Sequence, residues 1–521
     1  MAKDSLKVSL DALVAREAFD VQDQQSQAIG RNIPMISVRD LEENSFFYPF
    51  LRKPDFQRET NEWDVQTICE FIESFLDGDL IPAIILWRSS SSYYFVIDGS
   101  HRLSSLIAWI NDDYGDGKIS KKFYDSDITD EQKSAAEDVR KQIKATIGSY
   151  KDYQSVAQHR GDVNSKILER ARNLGALGIQ LQWVEGDSSK AEASFFKINQ
   201  KAAPINQTEM RLLIARKKPN GVAARAIIRS GNGHKYWSDF SQDKQSEIEE
   251  IAREIHRIIF EPKLQNPIKS LDLPIGGKLS SPQSLELILE FINVVNGIYN
   301  DSTNKLEDDL TGDKTLEFLR NCRTVAQKIN SNHPSSLGLH PLIYFYTKNG
   351  RHKVGSFYGV VALILHLEKT QLAQFTKVRE SFEWVIWNND MVPAIVNKYK
   401  AVEGHEKVKD FFVAVINKLS QGVDKKNVIK EVASEKSFSC LKNKAKTDVN
   451  DIQSKDFSRE TKAAAFIRDA LPGIPKCKIC GGYLHKHSIS IDHKVRKADG
   501  GLGTLNNAQL THPYCNTTFK N

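Results

Sequence analysis

Four residues near the carboxy terminus constrain this 521-residue chain most: Cys477 and Cys480 form a C-x-x-C pair, and His512 and Cys515 form an H-x-x-C pair. Three thiolates and an imidazole are the donor set of a closed, tetrahedral Zn²⁺ site, which is structural rather than catalytic. Placed on a helix, His512 and Cys515 stand three positions apart and share a face. The remaining cysteines, Cys69, Cys322 and Cys440, are widely separated, which argues against a disulfide framework.

Such a length exceeds what one hydrophobic core holds, so several domains are expected. From Leu441 onward the chain carries fourteen Lys/Arg against seven Asp/Glu, a surplus of +7 against +6 for the whole chain, which leaves −1 for the rest. A basic end on a neutral body suits a phosphate-backbone ligand, and it equally suits a basic soluble domain. No apolar run approaches the ~18 residues of a membrane helix. The first twenty residues lack the apolar stretch and small-residue cleavage site of a signal peptide, so a cytoplasmic location is expected.

Residues 1–35 read as an amino-terminal extension. From 36 to 216 the pattern mixes strands and helices: Ile81–Trp87 and Tyr93–Ile97 are apolar runs of strand length joined by serines, and Val65–Leu76 has helical spacing. Residues 217–420 are mostly helical, as in Ser284–Val295 and Gly359–Glu368, and carry no chemical motif. A lysine-rich stretch, 421–457, reads as a linker. A terminal domain, 458–521, opens with a helix from about Ser458 to Ala470 that Pro472 and Gly473 end. No repeat of solenoid period is present. The fold class expected is α+β multidomain.

Between the two metal-ligand pairs lie Ile491-Asp492-His493, Asp499-Gly500-Gly501 and Asn506-Asn507, and Asn516 follows Cys515. This order resembles the HNH, or ββα-metal, nuclease family over about forty-five residues. The resemblance implies that His493 is the general base, that Asp492 and Asn516 hold Mg²⁺ or Mn²⁺, and that Asn507 orients the His493 ring. Phosphodiester hydrolysis needs such a base, active near neutral pH, and a cation opposite the phosphate. Asn506 stays open as the orienting residue, and His512 as a neighbour of the phosphate rather than a zinc ligand. An ideal strand turns Asp492 and His493 to opposite faces, so a bend is expected there. His485 and His487 read as surface or zinc-adjacent histidines without a catalytic role.

In the amino-terminal region Asp98-Gly99-Ser100-His101-Arg102 separates a strand from an apolar helix, so backbone amides and Arg102 stand at a helix N-terminus, a good place for phosphate. Pro54-Asp55-Phe56-Gln57-Arg58 and Trp63 lie upstream, and Phe195-Phe196-Lys197-Ile198-Asn199 and Thr208-Glu209 downstream. Together these elements resemble the ParB/sulfiredoxin-like amino-terminal family of GmrSD and SspE over residues 36–216. That resemblance implies a nucleoside triphosphate (ATP or GTP) site at Gln57, Arg58, Asp98, Gly99, Ser100, His101 and Arg102. Ser100 replaces the first glutamine of the usual D-G-Q-Q-R or D-G-Q-H-R form, which puts hydrolysis in question and leaves binding implied. His101 also reads as a packing histidine.

The combined expectation is a ParB-like α+β domain, a mostly helical middle and a zinc-stapled ββα-metal HNH domain. Its expected work is metal-dependent cleavage or nicking of DNA under nucleotide control, in restriction-type defence against modified or foreign DNA. Alternatives are a mobile-element or RNA-directed nuclease, and a DNA-binding adaptor that does not cut.

Overall fold

The computed structural model describes residues 7–17, 32–54, 57, 60–61, 63–124, 128, 130–157, 165–202, 211, 214–232, 235–279, 283–298, 305–367, 369–442 and 457–520. The chain forms two compact units, Met1–Arg216 with Asn232–Lys235, and Lys217–Gly231 with Tyr236–Asn521.

The first unit is built on a mixed six-stranded sheet of β1 (Arg16–Glu17), β2 (Met35–Ser37), β3 (Leu51–Pro54), β4 (Ile84–Arg88), β5 (Tyr94–Asp98) and β6 (Gly178–Val184), in the order β1-β3-β5-β4-β6-β2. β4 begins three residues later than its apolar run suggests, beyond Pro82, which has no N–H for a ladder. Alternation sorts the side chains: Leu86 and Val96 join the larger core, while Trp87, Phe95 and Ile97 pack with Ala191 and Phe195 on the other side. Helix α1 (Val65–Leu76) buries Ile68, Cys69, Ile72, Phe75 and Leu76, the spacing of one helical face, and Asp64 caps it by accepting from the Thr67 N–H at 2.9 Å. Helix α2 (Ser100–Asn111) places Leu103, Leu106 and Trp109 in the same core.

Residues 7–17, expected to lie outside this domain, belong to it. Val8, Leu10, Leu13 and Val14 are buried in its core, and β1 pairs in parallel with β3. Asp11 binds Arg16 at 2.8 Å and Lys53 at 2.7 Å, all three buried. Their charges satisfy one another inside the domain.

The second unit is helical up to its terminal hairpin. Helix Val354–His366 is buried almost all round and serves as its core, whereas Gln242–Phe260 buries one stripe of Ile248, Ile251, Ala252, Ile255 and Ile259. The region read as a linker is folded over its first half: Val428–Ser434 is a helix, and Val428, Val432, Phe438 and Leu441 are buried. Frequent lysines masked that spacing, and residues 443–456 lie outside the described residues. Helix Arg459–Ala470 follows, capped by Ser458. Among the described residues, no helix is long and apolar enough to cross a membrane.

Candidate active site

Cys477, Cys480, His512 and Cys515 converge, all buried, with their ligand atoms within 4.8 Å of one another. The first pair sits in a tight turn in which Cys477 N–H donates to the Gly482 carbonyl at 2.8 Å and Gly481 N–H to the Cys477 carbonyl at 3.0 Å. Gly481 takes φ +71°, and a Cβ there would meet the Glu380 side chain at 2.9 Å, so the turn needs glycine on both counts. His512 is not on a helix as expected. It directly follows the strand Ala508–Thr511, and its carbonyl accepts the Asn516 N–H at 3.0 Å as the terminal helical turn Cys515–Phe519 begins. Its Nδ1 lies 3.4 Å from Cys480 Sγ and 3.9 Å from Cys515 Sγ, while Nε2 is 3.0 Å from the Tyr483 carbonyl. Nδ1 therefore faces the thiols, and an Nε2–H donated to the carbonyl fixes the tautomer that leaves it free to ligate.

The thiols cannot all ionise unaided. The hydrogen bond to Cys477 pushes Cys480 up to about 11, and the same neighbour raises Cys515 further, while Cys477 itself is lowered chiefly by its bond from Cys480. A dication removes that conflict, and three sulfurs with one imidazole fit structural zinc.

The site is anchored to the helical body. Buried Arg379, on the helix Lys369–Asn388, lies 3.3 Å from His512 Nδ1, pairs with buried Glu383 at 2.7 Å and donates to the Gly338 carbonyl at 3.0 Å. Glu383 in turn accepts the Tyr483 N–H at 2.8 Å and the Tyr344 hydroxyl at 3.0 Å. His485, expected on the surface or beside the zinc, is buried against Asp272 at 3.1 Å, and the exposed His487 reaches the same carboxylate.

Strands β7 (Ser490–His493) and β8 (Ala508–Thr511) pair antiparallel, with Asp492 opposite Gln509 and His493 opposite Ala508. The ladder is regular to its end, so the bend expected between Asp492 and His493 comes only after His493. Asp492 points inward and is buried, whereas His493, at the strand end, is half-buried. Asn516 donates from Nδ2 to Ser490 Oγ at 2.7 Å, which seats the terminal helical turn against β7. Asn507 differs from expectation. Its amide accepts the Val495 N–H at 2.8 Å and donates to the Val495 and Leu502 carbonyls at 3.1 and 2.8 Å. It thus holds the loop that leaves His493, and among the described residues none of its hydrogen bonds goes to the imidazole. Asn506 is exposed, and among the described residues only its carbonyl is used, by Lys494.

Two neighbours of Asp492 escaped sequence reasoning. Gln509 Nε2 and Lys520 Nζ donate to Asp492 Oδ2 at 2.7 and 2.8 Å, and Lys520 also bonds the His493 carbonyl. The hairpin register would have given Gln509, and the i, i+4 spacing from Asn516 would have given Lys520.

In the first unit, Gly99 opens α2 at φ +98°, and a Cβ there would collide with Ile84 Cδ1 at 2.4 Å. Arg102 folds back on Asp98 at 2.6 Å. His101 lies beside Trp63, with ring centroids 5.6 Å apart. Ser100 Oγ, Arg102 Nε, Ser104 Oγ and Gln57 Oε1 are buried without a hydrogen-bond partner among the described residues. Asp55, Phe56, Arg58, Thr208 and Glu209, and the side chains of Phe196 and Asn199, lie outside the described residues.

Residues 38–215 match the family model described as GmrSD restriction endonuclease, N-terminal domain, and residues 477–521 match that described as HNH endonuclease. No curated protein and no solved structure gives a significant match. The zinc-type cluster and the Asp492-His493 hairpin fall inside the second match, and the Asp98–Arg102 turn inside the first. The chain thus joins a GmrSD-type amino-terminal domain to a carboxy-terminal HNH endonuclease domain, and it is a nuclease that hydrolyses phosphodiester bonds.

Proposed function

We propose that this nuclease cuts DNA at the β7–β8 hairpin in restriction-type defence against modified or foreign DNA, and that a nucleoside triphosphate bound at the α2 turn of a ParB-like domain controls it. The observation that carries the cutting site is the placement of Asp492, His493 and Asn516 on one strand and the helical turn seated against it, beside the zinc cluster.

His493 takes the proton from the attacking water. Its half-exposed position at the strand end, with the chain turning away after it, leaves the imidazole open to substrate. Asp492 and Asn516 hold a divalent ion. The donor set fits one: Asp492 Oδ2 is engaged, Oδ1 has no hydrogen-bond partner among the described residues, and Asn516 comes from the facing turn. Mg²⁺ or Mn²⁺ there supplies positive charge opposite the scissile phosphate. Asn507 holds the loop after His493 and so fixes where the strand ends.

For the nucleotide, support comes from orphaned polar atoms. Leaving a buried donor or acceptor unpaired costs about 1–3 kcal/mol. Gln57, Ser100 and Arg102 each carry one, and Ser100 and Arg102 stand in the first turn of α2, at an N-terminus suited to phosphate. A triphosphate with its sugar could satisfy them.

Supercoiled plasmid incubated with Mg²⁺ or Mn²⁺, with and without ATP or GTP, tests both parts against His493→Ala. Wild-type protein should nick or linearise the plasmid, the variant should be slower by about 10²- to 10⁴-fold, and nucleotide should change the wild-type rate. Equal cutting by the variant rejects His493 as the base, and indifference to every nucleotide rejects the control.

A further inference from the structure

We infer that Lys520 makes ion binding at Asp492 depend on the substrate phosphate, a coupling that rests on the reading of Asp492 and Asn516 as the ion's ligands. Asp492 is the one carboxylate of that donor set, and its side chain is only 7% exposed. A buried carboxylate needs a cationic or hydrogen-bonding partner. Lys520 supplies the cation at 2.8 Å on Oδ2, and Gln509 supplies a neutral donor at 2.7 Å on the same oxygen. Lys520 is itself held: its ammonium also bonds the His493 carbonyl, and its side chain is 21% exposed.

The consequence is one of charge. Asp492 contributes −1, Asn516 contributes nothing, and Lys520 returns +1, so the set is neutral before any ion arrives. Oδ1 remains available to an ion, but a dication placed there stands one carboxylate away from an ammonium, and like charges at such separations repel appreciably in a partly buried site. A phosphodiester brings the missing negative charge. In this arrangement the ion is held weakly by the free protein and firmly once DNA lies across the hairpin, so metal and substrate bind with positive coupling. Gln509, being neutral, orients Asp492 without taking part in that balance.

The test is a Mn²⁺ titration of the full chain, read by the electron paramagnetic resonance signal of the free ion, in a His493→Ala background that keeps DNA intact. Protein with zinc bound is titrated alone and with a DNA duplex. Mn²⁺ should bind about tenfold or more tightly with duplex than without. Lys520→Met should bind Mn²⁺ about tenfold or more tightly without DNA and lose most of the gain from duplex, while Lys520→Arg should behave as the parent. Unchanged or weaker Mn²⁺ binding by Lys520→Met in the absence of DNA overturns the inference. Asp492→Asn separates the two claims. If it leaves Mn²⁺ binding untouched, the ligand assignment fails and the coupling falls with it. If it abolishes binding while Lys520→Met changes nothing, only the coupling fails. Equal melting temperatures across the variants show that the hairpin remains folded.

Discussion

Asn507 holds the loop after β7 through three hydrogen bonds to Val495 and Leu502, and none of them involves Asp492 or Asn516. Asn507→Ala should therefore slow plasmid cleavage by about 100-fold, the scale of effect that an ångström of misplacement produces. Mn²⁺ affinity should stay within about twofold. Asn506→Ala should cut at the parental rate, since that side chain is exposed. A second residue-scale prediction concerns Arg379. Its removal leaves Glu383 buried without its cation, and breaking such a pair costs about 3–5 kcal/mol. Arg379→Ala should lower the stability of the second unit by that amount in urea titration, and a loss below about 1 kcal/mol would show that the pair is not what fastens the zinc cluster to its supporting helix.

The apolar core of the terminal hairpin is small. Around the cluster the buried apolar side chain is Leu484, with Ile479 and Ile489 partly buried against it, too small a core to support two four-residue strands. Stripping zinc with a chelator, or replacing Cys480 by Ser, should abolish cleavage and the hydrogen-exchange protection of β7 and β8. Protection in the buried helix Val354–His366 should persist, because its partners are other helices. Loss of protection across the whole unit would mean that zinc supports the helical body as well.

Acid sensitivity is set across the whole second unit. His352 is buried and its Nε2 lies 2.9 Å from the Ile275 carbonyl; burial lowers its pKa from 6.5 to about 4. Below pH 6.5 the unfolded chain takes up a proton at this residue that the folded chain refuses, so this contribution is complete above 6.5 and is lost as pH falls towards 4. Asp272 works in a lower window: His485, Lys486 and His487 outweigh its partial burial and hold it at about 2, so its contribution is lost as pH falls from about 4 towards 2. Urea midpoints should thus decline in two stages on acidification. His352→Gln should make the first stage shallower, buried His340 and His485 contributing in the same sense, and should leave the second; identical profiles for variant and parent would remove His352 from that account.

Local sequence determined much of this protein. Spacing named the four zinc-type ligands, the apolar period located α1 to the residue, and the order of Asp492, His493, Asn507 and Asn516 marked the hairpin, because each depends on neighbours close in the chain. Tertiary structure decided what depends on distant partners. It drew residues 7–17 into the first core through Asp11 and Lys53, turned a lysine-rich linker into packed helix through Val428 and Val432, and buried His485 against Asp272. It also brought Gln509 and Lys520 to a single oxygen of Asp492. A ligand pair three residues apart is visible in the chain, whereas a carboxylate's charge balance is fixed only when strand and helical turn meet, since burial and approach set the strength of an ionic contact.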